Sequence, residues 1–222
     1  MISNQLAPNR HIVISVDDYD PDNIALARGI RELGLQATFF IELANDSRAQ
    51  EQVRELHAMG ITIGSHSLTH PSDMKALTDE QLRGELQTSK AMIERQTGVP
   101  CRTFCYPRGR HDARVQAAVQ AAGYEDARTT VVCKLSFDPK VQYAKPTTIH
   151  AYDGRKEYGG RKWIQVASEQ FQIFMQTGGV FHIWGHAREM RRDGISGQFL
   201  GFLKSITDGL AENGMAITES WV

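Results

Sequence analysis

The sequence predicts an α/β fold: a single (β/α) barrel, distorted or incomplete, of about seven strands. Three observations point there. Strand-like apolar runs alternate with amphipathic helical stretches along the whole chain, with no linker, low-complexity segment or internal repeat between them. The 222 residues suffice for one large domain with a full core, so residues 1–222 are expected to form one unit. Reactive side chains fall just beyond several predicted strand ends, which a parallel barrel gathers on one face. A doubly wound open sheet is the competing arrangement.

The elements follow in order. HIVISV is the first strand, and the stretch from Asp22 to Leu33 is a helix with Ile24, Ala27, Ile30 and Leu33 on one face and Gly34 as its stop. QATFFIEL is a second strand, followed by a helix from Ser47 to Met59 closed by Gly60. ITIGSH is the third strand. Thr78 and Gln81 have capping-box spacing and open a helix that runs to about Gly98. RTFCYP is a strand, and Asp112 caps the helix DARVQAAVQAAG, ended by Gly123. YEDARTTVV and TTIHAY are further strands with less regular chain between and after them. KWIQVASEQFQIFMQ is a helix stopping at Gly178 and Gly179, VFHIW a strand, FLGFLKSITDGLAENG the last helix and MAIT the last strand.

Composition excludes several functions. A formal charge of −1, with 41% hydrophobic and 23% charged residues, describes an ordinary globular protein and no electrostatic nucleic-acid binder. The densest basic stretch, Arg188 to Arg192, is short and is expected to be a solvated loop or a contact for a polar substrate. Cys101, Cys105 and Cys133 form no disulfide or zinc-ribbon pattern and are expected as buried thiols. The N-terminal MISNQLAPNR has no apolar signal core and no run approaches membrane-spanning length, so a cytoplasmic protein without membrane or nucleic-acid partners is expected.

The chemistry collects in four stretches. In SVDDYD, three carboxylates (Asp17, Asp18, Asp20) crowd the end of a strand, and a cation would relieve their repulsion. In GSHSLTH, His66 and His70 are four apart, a spacing that puts both imidazoles on one side of a helical turn. Asp18 can complete a facial set of three with them, leaving open positions as a catalytic metal site requires. Adjacent residues on an extended chain point oppositely, so Asp17 and Asp18 should not share a role: one can ligate the metal while the other lies beside the open position and takes a proton from bound water. In TFCYPRGRHD, Pro107 and Gly109 bracket Arg108 in a tight turn whose backbone N–H groups can face an oxyanion. In VFHIWGHAREM, His186 follows a strand and a glycine and can serve as a general acid, while His182, within the strand, is expected as a core histidine or one that supports the site's ligands from behind.

Together these motifs resemble the polysaccharide deacetylase family, carbohydrate esterase family 4, whose members include chitin, chitooligosaccharide and peptidoglycan deacetylases. The matching parts are the Asp-Asp pair, HSLTH, the Pro-x-Gly turn of YPRG, and the strand leading to a histidine in HIWGH. The resemblance implies a distorted, often seven-stranded barrel and a divalent metal, commonly zinc, on Asp18, His66 and His70. It implies Asp17 as base, His186 as acid, and the Arg108 N–H beside the oxyanion. The expected reaction is removal of an N-acetyl group from an amino sugar or saccharide.

Three positions depart from the family pattern. Many members carry an arginine two residues before the third motif's proline, where it pairs with the base; here that position is Cys105, with Arg102 or Arg108 as candidate substitutes. The Asp-x-x-Asp-Trp motif that orients the acid histidine is not recognisable, leaving Asp153 and Glu189 as candidates. Tyr19 stands where many members have glycine. Two other readings stay open: a hydrolase of another small amide or ester, and a non-catalytic carbohydrate-binding protein with a vestigial metal site. The loops 136–143 and 153–161 are expected to wall the cleft.

Overall fold

A computed structural model describes residues 10–43, 46–136 and 139–212. Seven parallel strands form one curved sheet in the order β5-β4-β3-β2-β1-β7-β6, with helices packed outside, a distorted (β/α) barrel. The strands are β1 (Arg10–Asp17), β2 (Thr38–Ile41), β3 (Thr62–Ser65), β4 (Thr103–Cys105), β5 (Asp126–Arg128), β6 (Ile149–His150) and β7 (Gly179–Gly185). The helices are α1 (Asn23–Glu32), α2 (Ser47–Ala58), α3 (Asp79–Thr97), α4 (Ala113–Ala121), α5 (Trp163–Thr177), α6 (Ala187–Arg192) and α7 (Ser196–Glu212).

β1 is central, pairing with β2 on one side and along its length with β7 on the other. A strand so placed is covered on both faces, which explains why HIVISV is a continuous apolar run and not an alternating one. β3 approaches β2 closely: a Cβ at Gly64 would lie 2.5 Å from the Phe40 ring, so this position accepts only glycine. The sheet edges meet through an irregular seam. Lys145 N donates to Ala127 O at 2.9 Å and Thr129 N to Lys145 O at 2.9 Å, while Thr147 N reaches Val131 O at 2.7 Å. Thr148 N then donates to His182 O at 2.9 Å, tying the same segment to β7.

Helix boundaries follow their caps. Thr78 and Gln81 form the expected capping box, Gly98 closes α3 at φ 74°, and Asp112 accepts from Val115 N to open α4. α5 opens where Asp153 Oδ1 accepts from Trp163 N at 2.8 Å. The core holds Leu26, Ala27 and Ile30 of α1, Leu82 and Leu86 of α3, and a cluster of Trp163, Phe174, Phe181 and Phe199 under β7. Each such leucine, isoleucine or phenylalanine, fully buried, stabilises the fold by about 1.5–3 kcal/mol.

Several expectations are corrected. The strands YEDARTTVV and TTIHAY shrink to three and two residues, because the seam replaces regular ladder pairing there. Residues 188–192 are the helix α6, not a loop, and α7 begins at Ser196, before the expected FLGFLK start. Cys133 is only partly buried, unlike Cys101 and Cys105. MAIT lies outside the described residues. Among the described residues, no helix is long and apolar enough to cross a membrane.

Candidate active site

Asp17 ends β1, and Asp18 leaves the strand with φ 69°, a left-handed conformation that aspartate tolerates better than most residues. Its backbone is clamped there: Asp18 N donates to Phe40 O at 3.0 Å and Asn23 Nδ2 to Asp18 O at 2.9 Å. The turn sends the three carboxylates of SVDDYD apart. Asp18 faces the histidines, Asp17 faces Arg128 and Cys105, and Asp20 pairs with Arg191 of α6.

His66 and His70 are not on a helical turn. They sit on an irregular loop after β3 in which Ser67 and His70 both have positive φ, at 69° and 54°. Glu85 of α3 holds this loop by accepting from Leu68 N and Thr69 N at 2.9 Å each and from Thr69 Oγ1 at 2.6 Å. The loop still brings the imidazoles together. Their Nε2 atoms lie 3.3 Å and 3.5 Å from Asp18 Oδ1.

Asp18, His66 and His70 offer ligand atoms that all lie within 4.8 Å of one another. The residues fit a metal on two grounds. Asp18 Oδ1 is buried with no hydrogen-bond partner, while Arg188 reaches the other oxygen at 2.7 Å, so Oδ1 is the oxygen left to take a cation. His66 Nδ1 lies 2.8 Å from Cys105 O; donating there leaves the Nε2 lone pair for coordination. Burial alone would raise the Asp18 carboxyl, but the neighbouring imidazoles of His66 and His186 and the Arg188 guanidinium hold it well below the usual carboxylate range.

Asp17 forms an ion pair with Arg128, whose side chain is 1% exposed. The guanidinium is flanked by the rings of Phe40 and Trp184, with Cζ 5.0 Å and 4.6 Å from their centroids. Neither substitute expected from the sequence makes this contact: Arg102 pairs with Glu125 at the surface, and Arg108 lines the cleft. Arg128 ends β5 as the Cα partner of Cys105 on β4, one strand over from the expected arginine and level with it. The signal that could have found it is a charged residue within the otherwise strand-like YEDARTTVV.

The turn Pro107–Gly109 is a single 3₁₀ turn in which Arg108 and Gly109 have φ 56° and 68°. A Cβ at Gly109 would lie 2.2 Å from Thr130 Oγ1, so glycine is required twice over. The N–H groups of Gly109 and Arg110 donate to Tyr106 O and Pro107 O, at 2.8 and 3.1 Å. The Arg108 N–H has no acceptor among the described residues.

On the opposite wall, Glu189 is the carboxylate that holds His186, with Oε2 2.6 Å from Nδ1. The same oxygen lies 3.0 Å from His150 Nε2, so one carboxylate grips two imidazoles. Burial would raise Glu189, but hydrogen bonds from both rings bring it well below the usual range. His150, stacked on Trp184 at 3.8 Å between centroids, is lowered to about 4 by burial, against a partial opposing pull from Glu189. His186 Nε2 is left facing Asp18, 3.7 Å from Oδ2. Asp153, the other candidate orienter, is spent on the start of α5. His182 is a core residue, 2.8 Å from Ser15 Oγ.

All four stretches singled out in the sequence meet in one cleft of about 290 Å³, lined among others by Asp17, Asp18, His66, His70, Arg108 and His186. Sequence reasoning missed His150, Trp184, Thr130 and Arg155 on its walls. The loop 153–161 contributes Arg155, while no lining residue comes from the described part of 136–143. That segment instead packs under the barrel's edge, where Tyr106 Oη donates to Tyr143 O at 2.8 Å.

A parallel barrel with this cluster at its carboxyl rim defines a polysaccharide deacetylase fold, and the family model described as polysaccharide deacetylase matches residues 5–127 of the chain. The chain belongs to that family. It is 27% identical over 124 residues to a putative polysaccharide deacetylase, YxkH, of Bacillus subtilis, a match spanning 54% of this chain and 44% of that relative's length. Among solved structures it resembles a family 4 carbohydrate esterase from Streptomyces lividans in complex with acetate (TM-score 0.62, 19% identity, 95% of this chain and 93% of that one). It also resembles a CE4 family pseudoenzyme from Bacillus anthracis (TM-score 0.61, 16% identity, 95% and 64% covered). Likeness at such identities concerns the fold, which carries active and inactive members alike.

Proposed function

We propose that the protein is a metal-dependent amidohydrolase that removes the N-acetyl group from an amino sugar or saccharide. The observation that carries this reading is the buried, unpartnered Asp18 Oδ1 between two imidazole Nε2 atoms, flanked by one carboxylate held by an arginine and one imidazole held by a carboxylate. Asp18, His66 and His70 would hold a divalent cation, zinc being the ion that a two-His, one-Asp set suits. Bound there, the ion supplies Lewis acidity toward the acyl carbonyl and makes water a better nucleophile.

The chain's own residues do the rest. Asp17, fixed through Oδ1 by Arg128, accepts the proton of the attacking water. The free N–H of Arg108 donates to the oxyanion as the carbonyl carbon becomes tetrahedral. His186 carries a proton on Nδ1 for Glu189, so Nε2 is the atom that protonates the amine as the C–N bond breaks. Acetate and the free amine are the products.

Metal analysis of the purified protein, coupled to acetate release across a panel of N-acetyl sugars, tests the reading. Asp17→Asn and His186→Ala should each slow turnover by about 10²–10⁴-fold with metal content unchanged. Full turnover by metal-loaded Asp17→Asn would overturn the assignment of the base. A parallel screen of small amides and esters distinguishes the hydrolase of another acylated metabolite. Saccharide binding with no product from metal-replete protein would instead identify a non-catalytic member.

A further inference from the structure

Three arginines line the cleft beside the residues already assigned: Arg108, Arg155 and Arg188. They come from separate parts of the chain, after β4, after β6 and in α6. Arg188 Nη2 reaches Asp18 Oδ2 at 2.7 Å, which places its guanidinium over the cluster of ligand atoms. Arg155 is held by Thr130 O at 2.7 Å and Glu157 Oε1 at 2.9 Å, and its Nε is buried with no partner. The Arg108 side chain is exposed and has no hydrogen bond or ion pair among the described residues.

The acids of the cleft offset this charge only in part: Arg188 is paired with Asp18 Oδ2 and Arg155 with Glu157, while Arg108 has no acidic partner among the described residues. Asp17 is matched by Arg128, Asp18 belongs to the ligand cluster, and Glu189 is taken by two imidazoles. Glu157, 2.9 Å from Arg155 Nη2, is itself 49% exposed and does not line the cleft. A divalent ion would make the cleft more positive still, although the whole chain carries a formal charge of −1. Hydrolysis of a neutral acetamido sugar uses a base, an acid and a Lewis acid, and it needs no guanidinium at the mouth. Planar guanidinium forks match carboxylate and phosphate oxygens.

We propose that the substrate carries, besides its acylamino group, an anionic oxygen group — a carboxylate or a phosphate — held by Arg108, Arg155 and Arg188. The acylamino part of this statement rests on the deacetylase reading; the anion subsite does not.

Calorimetry on the zinc-loaded full chain tests it, using amines that cannot be turned over: glucosamine, glucosamine 6-phosphate and muramic acid, which bears a carboxylate. Acetate release from their N-acetyl counterparts is measured in parallel. One anionic compound should bind at least about tenfold tighter than glucosamine, the worth of a single charged hydrogen bond, and its N-acetyl form should show the higher kcat/KM. Which anion prevails tells phosphate from carboxylate. In Arg155→Gln and in Arg108→Gln the ratio of anionic to neutral binding should fall toward one with zinc content retained, and Arg155→Lys should restore part of it. Equal binding of all three amines overturns the proposal while leaving the deacetylase reading intact wherever acetate is released. Anion binding that survives in both glutamine variants is coordination at the zinc and also overturns it. Arginine-dependent anion binding with no acetate from any sugar sustains the subsite and overturns the deacetylase reading.

Discussion

On the β1–β3 side of the cleft the backbone sets the reactive groups, whereas on the β6–β7 side a side chain does. Asp18 and His70 project from left-handed residues, at φ 69° and 54°, on loops pinned by main-chain hydrogen bonds and by Glu85. His150 and His186 project from ordinary strand ends and are aligned by a shared acceptor, Glu189 Oε2. The difference suits the two tasks. A metal needs three donors at fixed positions and no change of protonation, and rigid backbone provides that. An acid must present one chosen ring nitrogen to its target, and a carboxylate held on the other nitrogen fixes which one that is.

The largest effect should come from the first wall. His66→Ala should lose zinc on dialysis and lower acetate release by more than the roughly 100-fold typical of a residue that only supports a ligand. Retained zinc with full activity would show that the trio is not the metal site.

Arg128, between the walls, comes next. Its replacement by methionine leaves the Asp17 carboxylate buried at 2% exposure without its ion-pair partner, and should cost about 3–5 kcal/mol in urea unfolding. Adding Asp17→Asn should recover part of that loss, since the uncompensated charge is then gone. A single variant as stable as the parent would remove the ion pair from the account.

Acid should find the second wall first. His150 is lowered by burial from 6.5 to about 4, so the unfolded chain takes up its proton before the fold does. The associated stability is present above about pH 6.5 and is lost as pH falls from there toward 4, by up to about 3 kcal/mol. His182, lowered well below its ordinary value by burial and by Arg128 and Lys145, acts in the same direction. Urea midpoints between pH 7.5 and 4.5 should therefore decline, and His150→Gln should decline less steeply.

The smallest effects sharpen the contrast most. Glu189→Gln should slow turnover about 10–100-fold while zinc affinity holds, whereas Glu85→Gln should weaken zinc affinity by a similar factor and leave turnover of the zinc-saturated protein in place. Identical consequences for both would erase the distinction between the walls.

The parts of this molecule that local chemistry controls were legible in its sequence. The Thr78–Gln81 capping box, the αL stop at Gly98, the Asp112 cap and the buried run HIVISV all depend on residues near one another. The clustering of Asp18, His66 and His70 was legible because they follow strand ends that a parallel barrel brings to one rim. Contacts set by lateral pairing were not. Arg128 meets Asp17 across 111 positions, and no spacing rule predicts which strands lie side by side. The loop at residues 66–70 defeated the helical reading because two left-handed residues, neither of them glycine, produce the same convergence of imidazoles. The six-residue α6 is too short to show a period, so its arginines were taken for loop.

Cys105 and Arg128 lie opposite each other on adjoining strands. A guanidinium can therefore vacate its aligned column, move sideways by about 4.8 Å, and still serve the same carboxylate. Column-by-column comparison would score such a chain as disarmed. In a fold that also houses pseudoenzymes, an inventory of charges by height along the barrel is the sounder guide to which members are inert.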